Sequence, residues 1–201
     1  MYKRQVANNN IERVLLNGEG RAYGFEFLLQ KNKGRFKGWL AYTLARAEER
    51  IPGRNENEPG INNGEWFSSN WDKTHDISVN ASYQLSNKWK LNAAFNFQSG
   101  IPITYPNSVY TILDQVVPNY GERNANRLPS YHRLDISANW TPGFDSGKRW
   151  KSKWVFGIYN LYNRMNATSI TFARNEENFQ NEATKFTLFG IVPSVSYNFE
   201  F

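Results

Sequence analysis

The strongest constraint on this chain is a strict two-residue alternation of apolar and polar side chains that recurs along its length. Trp89, Leu91, Ala93, Phe95 and Phe97 alternate with Lys90, Asn92, Ala94, Asn96 and Gln98. A period of two is that of an extended strand, whose successive side chains point to opposite faces. Tyr23, Phe25, Phe27 and Leu29 repeat the pattern, as do Phe36, Gly38, Leu40, Tyr42 and Leu44. It returns in His75, Ile77, Val79, Ala81, Tyr83 and Leu85, and again in His132, Leu134, Ile136, Ala138 and Trp140. Trp150 to Leu161 reads as a further strand whose facing the sequence leaves open, and Lys185 to Phe201 as a last one, interrupted near Pro193. The expected fold is therefore all-β and antiparallel, with about seven strands that each carry one apolar and one polar face.

The connections alternate in length. Asn32-Lys33-Gly34 and Ser86-Asn87-Lys88 are tight turns, and Thr141 to Arg149 is a moderate one. Between them lie three long polar segments, Glu48 to Ser69, Gly100 to Pro129 and Tyr162 to Ala183, the last with room for a short strand at Thr168 to Phe172. Strands of the expected 11 to 15 residues are long enough for a tilted crossing of a bilayer, which takes about 9–11. Short turns at one end and long loops at the other are the asymmetry of transmembrane β-barrels.

Composition is compatible with that architecture. Mean hydropathy is −0.68 and aromatic content 16%. Alternating strands average out in a hydropathy profile, so a low mean does not argue against a barrel. No apolar run approaches the roughly 18 residues of a membrane helix. There is no cysteine, which removes disulfides and thiolate metal sites. The net charge is +6, but the 24 Lys and Arg residues are scattered, many in turns. Nucleic-acid binding calls for a basic stripe on one element, so none is expected.

The polar faces are mostly Asn, Ser, Gln and Thr, which suits a hydrated lumen. On the apolar faces Tyr42, Tyr83, Trp89 and Trp140 fall near strand ends, where an aromatic membrane girdle would sit. A soluble two-sheet sandwich uses the same alternation and stays open as an alternative. The chain ends on Val195, Tyr197, Phe199 and Phe201, alternating with Ser194, Ser196, Asn198 and Glu200. That ending resembles the C-terminal signal by which the barrel-assembly machinery of Gram-negative bacteria recognises outer-membrane proteins. Met1 to Gln5 reads as a non-native leader, with barrel sequence over 6–201. No signal peptide precedes it, so the expectation is a chain cut within an extracellular loop.

Several stretches together resemble the C-terminal part of TonB-dependent outer-membrane receptors. They are Gly20-Arg21-Ala22-Tyr23-Gly24-Phe25-Glu26, Trp39 to Arg46, Trp71-Asp72-Lys73-Thr74-His75-Asp76-Ile77-Ser78, Gln98-Ser99-Gly100-Ile101-Pro102, Tyr131 to Ser137, Tyr159-Asn160-Leu161-Tyr162-Asn163, and Pro193 to Phe201. They follow the family's order and span nearly the whole chain. The resemblance implies the C-terminal portion of a transmembrane barrel of about 22 strands with a plugged lumen. It also implies uptake of a nutrient (siderophore, haem, cobalamin, glycan or peptide) in the outer membrane, with lipid and lipopolysaccharide around the wall and TonB acting through an N-terminal part not present here. A non-transporting barrel, structural or adhesin-like, is the alternative.

No catalytic or cofactor chemistry is expected. His132 points away from both Asp135 and Ser137, and His75 away from Asp76, because odd and even strand positions face opposite ways. A triad needs its three groups to converge. No His/Asp/Glu cluster has metal-ligand spacing. Arg133 and Asp135 share a face and suit a lumenal charge network. The loop residues Tyr105, Tyr110, Tyr120, Arg123 and Arg127 are candidates to stack on and hydrogen-bond a small-molecule ligand.

Overall fold

The structure is a computed structural model that describes residues 15–113, 115–142, 151–175 and 180–200. It is all-β, and its main body is one antiparallel meander. In order across the sheet run β1 (Glu19–Lys31), β2 (Phe36–Arg50), β4 (His75–Gln84), β5 (Trp89–Gln98), β10 (Tyr131–Trp140), β11 (Lys151–Tyr159) and β14 (Val192–Glu200). A two-residue strand, β3 (Phe67–Ser68), pairs with the end of β2. The other elements are ladders inside the long connections: β6 (Pro102–Ile103) with β9 (Asn126–Arg127), β7 (Pro106–Ile112) with β8 (Gln115–Tyr120), and β12 (Ala167–Arg174) with β13 (Asn181–Thr187). The seven strands of the sheet answer to the seven expected. Five of them fall under the expected range: β4, β5 and β10 are ten residues long, and β11 and β14 nine.

Register turns the alternation into rows that cross the sheet. One face carries Leu29–Leu40–Val79–Phe95–Leu134, then Gly38–Ala81–Ala93–Ile136–Ile158, then Phe36–Tyr83–Leu91–Ala138–Phe156–Val195. The opposite face carries Gln30–Trp39–Asn80–Ala94–Asp135 and Lys37–Ser82–Asn92–Ser137–Gly157–Ser194. Since a one-residue slip would exchange the two faces entirely, this consistency over seven strands is itself evidence of a specified register. It also settles β11: Trp154, Phe156 and Ile158 lie on the apolar face, opposite Trp140, Ala138 and Ile136.

Aromatic rows close the apolar face at both ends. At the short-turn end Trp89, Trp140, Trp154 and Tyr197 are consecutive cross-strand partners, with Trp89 and Trp140 stacked at 5.9 Å and Trp154 and Tyr197 tilted against each other at 4.6 Å. At the long-loop end the row is Phe27–Tyr42–Ile77–Phe97–His132. There Tyr42 stacks on His75 and Phe97 on His132. Two and three rows beyond, the same parity becomes charged: Arg46 stands opposite Tyr23, and Glu48 opposite Arg21. Glu48 accepts from both Arg21 and Arg46 at 2.8 Å.

The sheet has no core of its own. Phe25, Leu29 and Val195 are each more than half exposed, and the only large apolar side chains buried among the described residues are Phe67 and Leu128, both in the long connections.

The final segment differs from expectation. Lys185 to Phe201 is two strands, not one: β13 pairs with β12, and β14 pairs with β11. The break falls at 188–191, ahead of Pro193, which sits inside β14 opposite Ile158. Proline is tolerated there because β14 has a partner on one side only, and an edge strand can spare an N–H. Phe201, Met1 to Gln5, Trp150 and the turn over 143–149 lie outside the described residues.

Candidate functional site at the long-loop end

All three long connections leave the same end of the sheet, and there most of the buried residues collect. Asp72 is 1% exposed. Its Oδ1 accepts from the Ala47 amide at 2.7 Å, and its Oδ2 accepts from the Arg127 guanidinium. Arg127 also donates to the Gly100 carbonyl at 3.0 Å. A buried carboxylate is tolerated only when paired and hydrogen-bonded, and Asp72 has both kinds of partner. Gly100 is required beside it, because a Cβ there would lie 1.6 Å from the Leu128 carbonyl oxygen.

Asparagines complete the join between the first two connections. Asn124, at φ 58°, donates from Nδ2 to the Ser68 carbonyl at 2.7 Å and to Asn70 Oδ1 at 2.8 Å. Asn62, at φ 49°, exchanges two bonds with the backbone of Arg123, donating to its carbonyl and accepting from its amide. Asparagine suits both tasks, since it visits the left-handed region more readily than most residues and its amide both donates and accepts. Further out, Arg54 donates to Glu58 and holds that carboxyl below the usual range.

The third connection is organised by Asn160, which is wholly buried at φ 54°. Its amide donates to Asp135 Oδ1 at 2.8 Å, its Nδ2 to the carbonyls of Arg164 and Phe189, and its Oδ1 accepts from the Arg164 amide. Asn166 bridges to the sheet by bonding both the amide and the carbonyl of His132. The turn after β11 is thereby pinned to β10.

The expected site residues divide into groups. Arg133 and Asp135 do meet on the polar face, at 2.9 Å. Arg133 donates to the hydroxyls of Tyr131 and Tyr159 as well and lies 4.1 Å from the Tyr159 ring. Tyr83, Trp89 and Trp140 sit at the short-turn end of the apolar face and Tyr42 at the other, where its hydroxyl meets His75 Nδ1 at 3.0 Å. Val195, Tyr197 and Phe199 share the apolar face of β14. The five loop residues do not form one cluster. Arg127 braces Asp72, Arg123 lies 6.0 Å from the Phe67 ring, and Tyr105 packs edge-on against Phe172 at 5.0 Å. Tyr110 and Tyr120 are exposed on the β7–β8 hairpin.

His132 and Asp135 lie on opposite faces, and His132 Nδ1 instead meets the Tyr162 hydroxyl at 2.7 Å. Among the described residues no three His, Cys, Asp or Glu side chains converge as a metal site would require.

The residues that sequence reasoning missed are Asp72, Asn160 and Asn166. Their only local signal is an Asn or Asp at the exit of a strand or within a turn, which is common on any protein surface.

Compared with known protein families, with curated proteins and with solved structures, the chain finds no match in any of the three.

Proposed function

We propose that this chain is the C-terminal portion, about seven strands of about 22, of the transmembrane barrel of a TonB-dependent outer-membrane receptor that takes up a nutrient. The observation that carries the reading is the apolar face: it runs unbroken across seven strands, is bounded by aromatic rows at both ends, and is covered by nothing in the described residues. An exposed face of that extent needs a partner or a non-aqueous solvent, and lipid suits an apolar band flanked by Trp and Tyr. Trp89 and Phe97 are separated by about 27 Å along β5 at roughly 3.4 Å per residue. At a tilt of about 40° that is roughly 20 Å of height, and the rings of the two rows extend it toward the ~25 Å of a barrel's apolar band.

The polar face then borders a hydrated lumen, with the Arg133–Asp135–Tyr159 network on its wall. The short turns face the periplasm, the long connections face outward as the ligand-reading surface, and Val195, Tyr197 and Phe199 belong to the signal read by the barrel-assembly machinery. Lipid and lipopolysaccharide surround the wall, and TonB acts through the N-terminal part of the receptor.

The test is depth-dependent quenching. The protein is isolated from the outer-membrane fraction and placed in bilayers with bromine at defined acyl positions. Trp89, Trp140 and Trp154, each read as the sole remaining tryptophan, are expected to be quenched most by bromine near the headgroups. Uniformly unquenched tryptophans, or a protein that fractionates without membrane, would sink the proposal.

A further inference from the structure

On the polar face at the long-loop end a cavity of about 490 Å3 opens beneath Trp71. Its size is that of small-molecule sites generally. Trp71 is 82% exposed, although it stands in the turn immediately before β4 and next to the buried, braced Asp72. A large indole held beside a rigid neighbour and left open to solvent offers a flat stacking surface.

The floor under it is cleared. Ala22 pairs with Ala47 and Gly24 with Ala45, so two successive rows of β1 and β2 on this face carry almost no side chain. Gly24 cannot be enlarged, because a Cβ there would lie 2.5 Å from the Leu44 carbonyl oxygen. The next row is the reverse, Glu26–Thr43–Asp76–Gln98–Tyr131, five hydrogen-bonding side chains on five adjacent strands. Lys73 Nζ donates to Gln98 Oε1 at 3.1 Å, and Gln98 Nε2 donates to Asp76 Oδ2 at 3.1 Å, so part of that row is already oriented.

We infer that this cavity binds a neutral carbohydrate, one sugar ring stacking on Trp71 while its hydroxyls bond Glu26, Thr43, Asp76 and Lys73. A pyranose has a flat C–H face suited to an indole and an edge of hydroxyls that both donate and accept, which matches a carboxylate-rich row with one ammonium. Charge selects among ligands. Asp72 is committed to Arg127, and Arg46 turns to the other face and pairs with Glu48, which leaves Glu26 and Asp76 against Lys73, a balance that disfavours anionic ligands. This assignment rests on reading the polar face as a lumen, and names the ligand class of that receptor.

The experiment uses the protein isolated from the outer-membrane fraction in detergent, with tryptophan fluorescence and calorimetry against maltohexaose, cellohexaose, xylohexaose, mannohexaose and the anionic oligogalacturonate. At least one neutral hexasaccharide is expected to bind. Trp71→Ala should weaken it by about tenfold or more and Trp71→Phe by less, as loss or reduction of a stacking surface implies. Oligogalacturonate should bind more weakly than the neutral sugar, and Asp76→Asn should narrow that gap. Far-ultraviolet circular dichroism and mobility without boiling check that each variant is folded. A membrane-embedded protein that ignores all four neutral sugars, or binds them equally well after Trp71→Ala, overturns the inference and leaves the barrel reading standing. A protein absent from the outer membrane takes both down together.

Discussion

The sheet and the loop assembly above it are organised by opposite rules. In the sheet, large apolar side chains stand exposed on six of the seven long strands, and Glu48 is the only buried side chain that those seven strands carry. In the loops, Asp72, Asn160 and Asn166 are buried as deeply as a core, and each is fully bonded. No buried side-chain nitrogen or oxygen among the described residues lacks a hydrogen-bond partner. A polar group loses little by leaving water only when its bonds are replaced, so the loops show where this chain excludes water by its own means. The sheet supplies no such means for its apolar face, and its stability depends on what lies outside it.

The sharpest way to break this comparison uses two neighbouring alanines. Ala93 lies on the apolar face, between Ala81 and Ile136, whereas Ala94 lies on the polar face, between Asn80 and Asp135. If lipid covers the first face, Ala93→Arg should destabilise the folded, membrane-inserted protein by about 2–4 kcal/mol, the cost of arginine near the bilayer midplane. Ala94→Arg, beside Asp135, should stay within about 0.5 kcal/mol, as surface substitutions usually do. Reversible unfolding in urea from phospholipid vesicles measures both. Equal effects would show that the two faces meet the same solvent.

Asn160→Ala comes next. It leaves the carbonyls of Arg164 and Phe189 and the amide of Arg164 without their partner in a buried place. One buried unsatisfied group costs about 1–3 kcal/mol, and partial opening to water keeps the total near about 2–3. The loss should be local: faster amide exchange over 160–166 and at His132, with little change at Ala81 or Ala93. Exchange that rises throughout the sheet would mean that the loops and the sheet unfold as one unit.

How much of this could be read beforehand follows the same division. β5 was legible to the residue, and β4 and β10 to within one, because alternation is a local signal repeated five times per strand. The rows themselves needed register, which no single strand carries, and that is why the facing of β11 waited for Trp154 to be seen opposite Trp140. The boundary between β13 and β14 was hidden for a different reason. It rests on Gly190 passing so close to Asn163 that a Cβ would lie 2.2 Å from Oδ1, a contact between residues 27 positions apart. Pro193, the obvious local breaker, turned out to be harmless on an edge. Asp72 and Asn160 were illegible because Ala47, Arg127, Asp135 and Phe189, to which they bond, lie 25 or more residues away; only Arg164 is near Asn160 in sequence.

The smallest expected effect separates two causes at one residue. Asn62 sits at φ 49° and holds Arg123 by two exposed bonds, so replacing it removes bonds and can also add strain. Asn62→Gly removes the bonds alone, since glycine adopts the left-handed region freely, and should cost about 1 kcal/mol. Asn62→Ala loses the same bonds and adds about 1 kcal/mol or slightly more of backbone strain. Both should raise proteolysis between the first two connections in that order and leave the sheet's urea midpoint unchanged. Were Asn62→Gly as harmful as Asn62→Ala, the backbone would contribute nothing and the asparagine would be there for its side chain alone. Were either variant to shift the sheet's midpoint, the loop assembly would be part of what holds the sheet, and the separation between the two regions would fail at its most exposed joint.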